Sequence, residues 1–122
     1  METETIENYC KTVFALDKGK GAKSIDIANS LGISKISVSI TLHKLKEEGY
    51  ILMKKYGRVK LAKKGIAIAK KITGKYDVLL SFFEHCLGVE KSRAKKEAHA
   101  VEHVISDDTV KKLLAMCNKK KK

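Results

Sequence analysis

The chain has 122 residues, with 26 Lys and Arg against 14 Asp and Glu, a formal charge of +12, and no proline. That length suits one compact unit or two very small ones. The absence of a long uncharged apolar run argues against a membrane span, and the acidic start METETIENYC against a secretory leader, so the expectation is a cytoplasmic protein with no membrane partner.

The excess of positive charge is either a solubilising surface or a footprint for phosphate backbones, and position has to decide between them. Cys10, Cys86 and Cys117 are far apart, with no CxxC pair. Neither a zinc knuckle nor a disulfide framework is expected, and buried free thiols are the default. The terminal NKKKK is a like-charge block and reads as a disordered tail.

The spacing predicts a first helix from about Thr3 to Asp17. Ile6, Tyr9, Cys10, Val13 and Phe14 recur at the intervals of a buried stripe. DKGKGAKS breaks it with two glycines. SIDIANSLG forms a second helix, capped by Ser24, with Ile27, Ala28 and Leu31 inward and Gly32 ending it. A third helix opens at Ser34 and runs to Gly49, with Val38, Thr41, Leu42 and Leu45 inward. Two short helices joined so tightly read as helix-turn-helix. YILMKKYGRVKL follows, rich in strand formers on either side of Gly57, and predicts a hairpin with a basic tip. Together these segments have the layout of a winged helix.

A helix from about Lys64 to Leu87 comes next, with Thr73-Gly74 as a weak point. Ile68, Ile72, Leu79, Phe82, Phe83 and Cys86 make a broad apolar stripe along it. The alternatives are a homodimer interface, which is the expectation, or packing on the first helix alone. Gly88 stops this helix, VEKSRAKKEAHAVEHVIS forms another, and SDDTVKKLLAMC a last short one, capped by Ser106 or Asp107.

A recognition helix presents its outer side to base edges in the major groove. At 100° per residue, Ile36, Ile40, His43 and Glu47 of the third helix point outward. Ser37, Ser39 and Lys44 flank them, and Ser34 and Lys35 lie at the start. The serines and Lys44 suit phosphates or base edges. Ile36 and Ile40 either touch thymine methyl groups or are exposed without meaning. Lys54, Lys55, Arg58 and Lys60 of the hairpin are expected at phosphates or in the minor groove.

In HAVEHVISDD, His99, Glu102 and His103 lie three and four residues apart and share a helix face. Ala98, Val101, Val104 and Ile105 fall on the other side. Two imidazoles and a carboxylate within one turn suit a divalent ion. A solvated polar face is the alternative, and a small metallohydrolase using the same three residues is a remote one. An interaction module meeting an acidic partner is a further reading.

The chain resembles the family of metal-dependent transcriptional repressors that includes the diphtheria toxin repressor and the manganese transport regulator. The resemblance runs from IENYCKTVFAL through IANSLGISKISVSITLHKLKEEGYI and LAKKGIAIAKKI to AHAVEHVISDD, and EHVISDD is its most specific piece. The length matches the shorter, manganese-type branch, without the SH3-like third domain. The resemblance implies a mainly α protein: an N-terminal winged-helix DNA-binding domain (1–63), an all-helical dimerisation and metal-binding domain (64–118) and a basic tail (119–122). It implies a homodimer that binds a palindromic double-stranded DNA operator when loaded with one divalent transition metal ion per subunit, of the Fe, Mn, Zn or Co class. The metal would bridge the first helix to the helix carrying HAVEH.

Glu102 and His103 match two ligands of the family, and His99 stands where the family has glutamate or cysteine. Asn8 replaces aspartate or methionine as a weaker ligand. Asp77 replaces a histidine and remains able to coordinate. Lys11 replaces a carboxylate and cannot coordinate while protonated. Cys10, on the same helix as Asn8, is either a sulfur ligand or core. These departures argue against a two-ion manganese cluster and favour a single ion at a nitrogen-rich site. The iron branch's second site, here Asp77, Ser81 and Lys95, is expected to be absent. A metal-independent regulator, in which Lys11 pairs with Glu102 or Asp77, is the alternative function.

Overall fold

The computed structural model describes residues 1–120 in backbone and side chains through Met116; Cys117 and the side chains of the basic tail lie outside the described residues. The chain divides into two compact units, at Lys70.

In the first unit, α1 (Thr3–Leu16) is followed by β1 (Ala22–Lys23), α2 (Ser24–Leu31), α3 (Lys35–Glu47), β2 (Ile51–Met53) and β3 (Arg58–Leu61). The helix α4 (Lys63–Ser81) starts in this unit. The strands make an antiparallel sheet in the order β1-β3-β2, with Ile51 opposite Leu61, Met53 opposite Val59 and Ala22 opposite Val59 from the other side. The core joins Tyr9 and Val13 of α1, Ile27 and Ala28 of α2, Val38, Leu42 and Leu45 of α3, and Ile51 and Val59 of the sheet. These are the stripes that the helical spacing predicts. Thr41 is only half-buried, and Phe14 faces outward.

The strand β1 was not legible. DKGKGAKS reads as a glycine-rich break, yet its last residues pair with β3. Asp17 organises the loop: its Oδ1 accepts from the Gly19 and Gly21 amides, each at 2.8 Å. Those two bonds hold its carboxyl below the usual carboxylate range, the Gly19 amide most of all. Gly21 then passes so close to β3 that a Cβ would lie 3.1 Å from both Arg58 Cβ and Val59 O. Because β1 runs straight into α2, Lys23 occupies the cap position and Ser24 is the first helical residue, which corrects the expected Ser24 cap. Ser34 does cap α3, its Oγ accepting from the Ser37 amide at 3.1 Å.

The second unit contains the rest of α4, a π-helical turn at Phe82–Cys86, α5 (Lys91–Val101) and α6 (Asp107–Lys120). The helix α4 passes unbroken through Thr73-Gly74. Both α5 and α6 pack against the Phe82–Cys86 turn. Glu90 caps α5 by accepting from the Ser92 and Arg93 amides. The expected helix over VEKSRAKKEAHAVEHVIS is shorter at both ends: it gives out at Val101, with Glu102 as its C-cap. A turn to Ser106 follows, and Ser106 Oγ accepts from the Thr109 amide to start α6. The last helix continues through Lys119 and Lys120, into the segment expected to be a disordered tail. Lysine at a helix C-terminus complements the dipole, which suits that extension.

Candidate DNA interface and metal centre

The helix α3 turns two different sides to its surroundings. Val38, Leu42 and Leu45 are completely buried, while Ile36 is 75% and Ile40 55% exposed. His43 is exposed with them, and Lys44, Ser37 and Ser39 on the flanks and Ser34 and Lys35 at the helix start are exposed as well. Two large aliphatic side chains are thus held in water by a helix whose opposite side is locked into the core.

The β2–β3 hairpin stands beside α3. Lys54 and Lys55 are exposed at its tip. Arg58 and Lys60 are half-buried and also bond the glycine-rich loop: Lys60 Nζ donates to Gly19 O at 2.7 Å, and Arg58 Nη1 donates to Gly21 O at 3.4 Å. Their positive charge stays at the surface while their positions are fixed by the fold. The pairing of β1 with β3 adds a basic residue that the sequence reading did not single out. Lys20 lines a groove of about 640 Å³ with Lys54, Lys55, Tyr56, Arg58 and Lys60. Its signal was the GKG spacing, whose place beside the hairpin only the sheet register discloses.

In the second unit, the end of α5 gathers His99, Glu102 and His103. One donor atom from each lies within 4.8 Å of the others. Glu102 Oε1 is 3.3 Å from His99 Nδ1 and 3.5 Å from His103 Nε2, and the two rings meet edge-on with centroids 5.6 Å apart. Glu102 is 0% exposed and the His103 side chain nearly so, while His99 faces solvent. This is not a solvated polar face. The helix ends where Glu102 turns inward, and Val104, expected on the apolar side, is 82% exposed instead. Burying a carboxylate is costly unless opposite charge or hydrogen bonds accompany it. Two imidazoles and a carboxylate so convergent fit one divalent cation.

The turn that carries this cluster is fastened to α4. Lys75 Nζ donates to Ile105 O at 2.9 Å and pairs with Asp107 at 3.1 Å, while Lys71 pairs with Asp107 at 2.9 Å. Tyr76 of α4 stands in an acidic neighbourhood: burial pushes its hydroxyl up, and Glu102, Asp77 and Glu84 add to the rise. Neither Tyr76 nor Glu84 was singled out from the sequence, since nothing in their spacing connects them to HAVEH. Asp77 is exposed on α4 and does not belong to the convergent group. In the first unit, Asn8 is half-buried on α1 and Cys10 fully buried. Burial, with Glu7 nearby, pushes the Cys10 thiol up to about 11, whereas a ligand role requires the thiolate.

Of the stripe expected at a dimer interface, Ile72 and Leu79 are closed off within the single chain. Ile68, Phe82, Phe83 and Cys86 are half-buried. Among the described residues, the large apolar side chains left most exposed in the second unit are Leu87, Val104, Leu114 and Met116.

Among the described residues, no helix is long and apolar enough to cross a membrane. Residues 1–59 match the model of the iron dependent repressor N-terminal DNA binding domain, and residues 62–122 that of the iron dependent repressor metal binding and dimerisation domain. An uncharacterised HTH-type transcriptional regulator of Methanocaldococcus jannaschii is 30% identical over 113 residues, 91% of this chain and 90% of its own length. The HTH-type transcriptional regulator MntR of Bacillus subtilis is 27% identical over 114 residues, covering 93% of this chain and 80% of the relative. The solved manganese regulator SloR superimposes with a TM-score of 0.80 at 27% identity; the match covers 93% of this chain but only 53% of SloR, so this chain spans about half the length of that relative. With family models covering both halves, a winged helix in the first unit and a convergent His-Glu-His cluster in the second, the chain belongs to the iron-dependent repressor family, its first part the DNA-binding domain and its second the metal-binding and dimerisation domain.

Proposed function

We propose that this chain is a cytoplasmic, homodimeric repressor that binds a palindromic double-stranded DNA operator when one divalent transition metal ion is bound per subunit. The observation that carries the metal-responsive part is the convergence of His99, Glu102 and His103 around a fully buried carboxylate. His99 and His103 would hold the ion through ring nitrogens and Glu102 through a carboxylate oxygen. The bound ion supplies positive charge to a buried anion and binds the DNA-competent arrangement more tightly than the other, which is all that a ligand needs to shift a population. A set with two imidazoles favours Zn, Fe, Co or Ni over Mn on ligand softness.

The outer side of α3 would lie in the major groove, with Ser34, Lys35, Ser37, Ser39, His43 and Lys44 at phosphates or base edges. Ile36 and Ile40 would touch thymine methyl groups, the one apolar feature that the major groove offers. Lys54, Lys55, Arg58 and Lys60 would meet phosphates. Half-buried Phe82 and Phe83, with the exposed Leu114 and Met116, supply apolar surface for a second copy. The reading is of a regulator and not an enzyme, because repressor-domain models cover both halves of the chain.

A cobalt(II) titration followed by absorption tests the site. Saturable binding with d–d bands is expected, and His103→Ala is expected to abolish it. Loss of affinity in Asp77→Asn or Asn8→Ala would add that residue to the ligand set, and a sulfur charge-transfer band would add Cys10. DNA retention with and without a chelator then tests the switch. Unchanged retention with chelator would overturn metal control and leave the metal-independent regulator, the reading that Lys11 in place of a carboxylate favours.

A further inference from the structure

Among the described residues, the most exposed large hydrophobic side chain is that of Tyr56, at 97%, on the tip of the β2–β3 hairpin. It is also the only non-glycine among the described residues with positive φ, at 62° and ψ 31°. Gly57 follows at φ 69°, and the Arg58 amide bonds back to Lys55 O. Two left-handed residues closing a hairpin form a type I′ turn, a position that asparagine, aspartate or glycine fills without strain. Tyrosine is the wrong residue for the turn on conformational grounds, and its ring makes no core contact to compensate. Strained residues of this kind persist where the surroundings hold them and cluster at binding sites.

The surroundings of Tyr56 are one-sided in charge. On one flank it lines the groove with Lys20, Lys54, Lys55 and Lys60. On the other it lines a concave face of about 450 Å³ that runs to Lys23 and to Lys35 at the start of α3. The tip is therefore continuous with the helix proposed to read DNA. An aromatic ring between two rows of ammonium groups matches a DNA minor groove between its two phosphate strands. The minor groove is about 6 Å wide and lined by acceptors at adenine N3 and thymine O2, and it is most negative where A·T-rich sequence narrows it.

We propose that Tyr56 enters the minor groove beside the major-groove site of α3, with its ring against the groove wall and its hydroxyl donating to a base acceptor. Lys20 and Lys54 grip the phosphates on its flank. This inference rests on the DNA-binding reading above. It adds a residue that reads A·T-rich flanks and that neither the helix nor the basic residues account for.

The test uses the full chain with Co(II) and a duplex selected by it from a random pool. Tyr56→Ala is expected to bind that duplex about ten-fold more weakly, the size of one lost aromatic contact to a base, with the salt dependence unchanged. Tyr56→Asn separates function from folding, because asparagine suits the left-handed turn. Its thermal midpoint is expected to rise while its DNA affinity falls as in the alanine variant. Netropsin, a minor-groove ligand, is expected to compete with the wild type and not with either variant on this flank. Equal affinity of wild type, Tyr56→Ala and Tyr56→Asn would overturn the proposal and leave DNA binding itself intact. Failure of the wild type to select any duplex would overturn both together.

Discussion

Glu102 shows how a single residue changes meaning between sequence and fold. Its spacing from His99 and His103 marks a shared helix face, and spacing alone leaves open a metal site or a solvated face. Full burial of the carboxylate beside a solvent-facing His99 shows a face that is only partly solvated. Gly65 carries the opposite lesson, since nothing in LAKKGIAIAKK distinguishes it from a helical alanine position. It is buried where α4 crosses the start of the sheet, and a Cβ there would collide with the Tyr50 carbonyl oxygen. In an exposed helix Gly→Ala is worth about 1 kcal/mol of stability. Here Gly65→Ala is expected to destabilise by about 1–3 kcal/mol, the usual size of overpacking. Urea unfolding of the pure variant measures it, and a higher midpoint than wild type would show that the carbonyl yields.

At the scale of elements, helices were legible and their ends were not. The stripes of α1, α2 and α3 follow from apolar spacing alone, and Ser34 is a local cap that needs no tertiary partner. β1 is too short to have a pattern, and its pairing with β3 depends on a loop closed by Asp17. The turn that follows α5 is held by Lys75, which donates to the Ile105 carbonyl from another helix. The same junction gives a pH signature. Bonds from Lys71 first, and then Lys75, hold the Asp107 carboxyl below its usual range. A depressed folded value means that this contribution is complete above the unfolded carboxylate pKa, about 3.9, and is lost as pH falls through the folded value. Wild type is therefore expected to exceed Asp107→Asn in urea midpoint at neutral pH, with the gap closing in acid. A gap of the same size at neutral and strongly acidic pH would disprove the linkage. Added salt is expected to narrow it as well, because the Lys71 and Asp107 side chains are more than half exposed.

At the scale of the whole molecule, charge and apolar surface state what the chain is prepared to meet. The formal +12 is ambiguous as a total, but the hairpin and the GKG loop gather Lys20, Lys54, Lys55 and Lys60 around one groove. Each lysine that neutralises a phosphate contributes about one to the slope of log affinity against log salt. Lys54→Ala combined with Lys55→Ala is thus expected to flatten that slope by about two on any duplex. An unchanged slope in a salt series would remove the hairpin tip from the phosphate contacts. The apolar stripe of α4 teaches caution at the same scale. Amphipathic spacing identified a surface that must be covered, but Ile72 and Leu79 find that cover inside the chain.

What the sequence determined by itself was everything carried by local periodicity and chemistry: the helix-turn-helix, the basic hairpin, the His-x-x-Glu-His cluster and the family resemblance that unites them. Such features depend on residues within a turn or two of one another, where backbone geometry alone sets the neighbours. The tertiary structure decided the rest. It buried Glu102, seated Lys20 beside the hairpin through β1, closed Ile72 and Leu79 within the chain, and left Tyr56 upright on a left-handed turn. Each of these depends on contacts between segments distant in the chain, whose register and approach are set by packing and by long-range hydrogen bonds that no local pattern encodes.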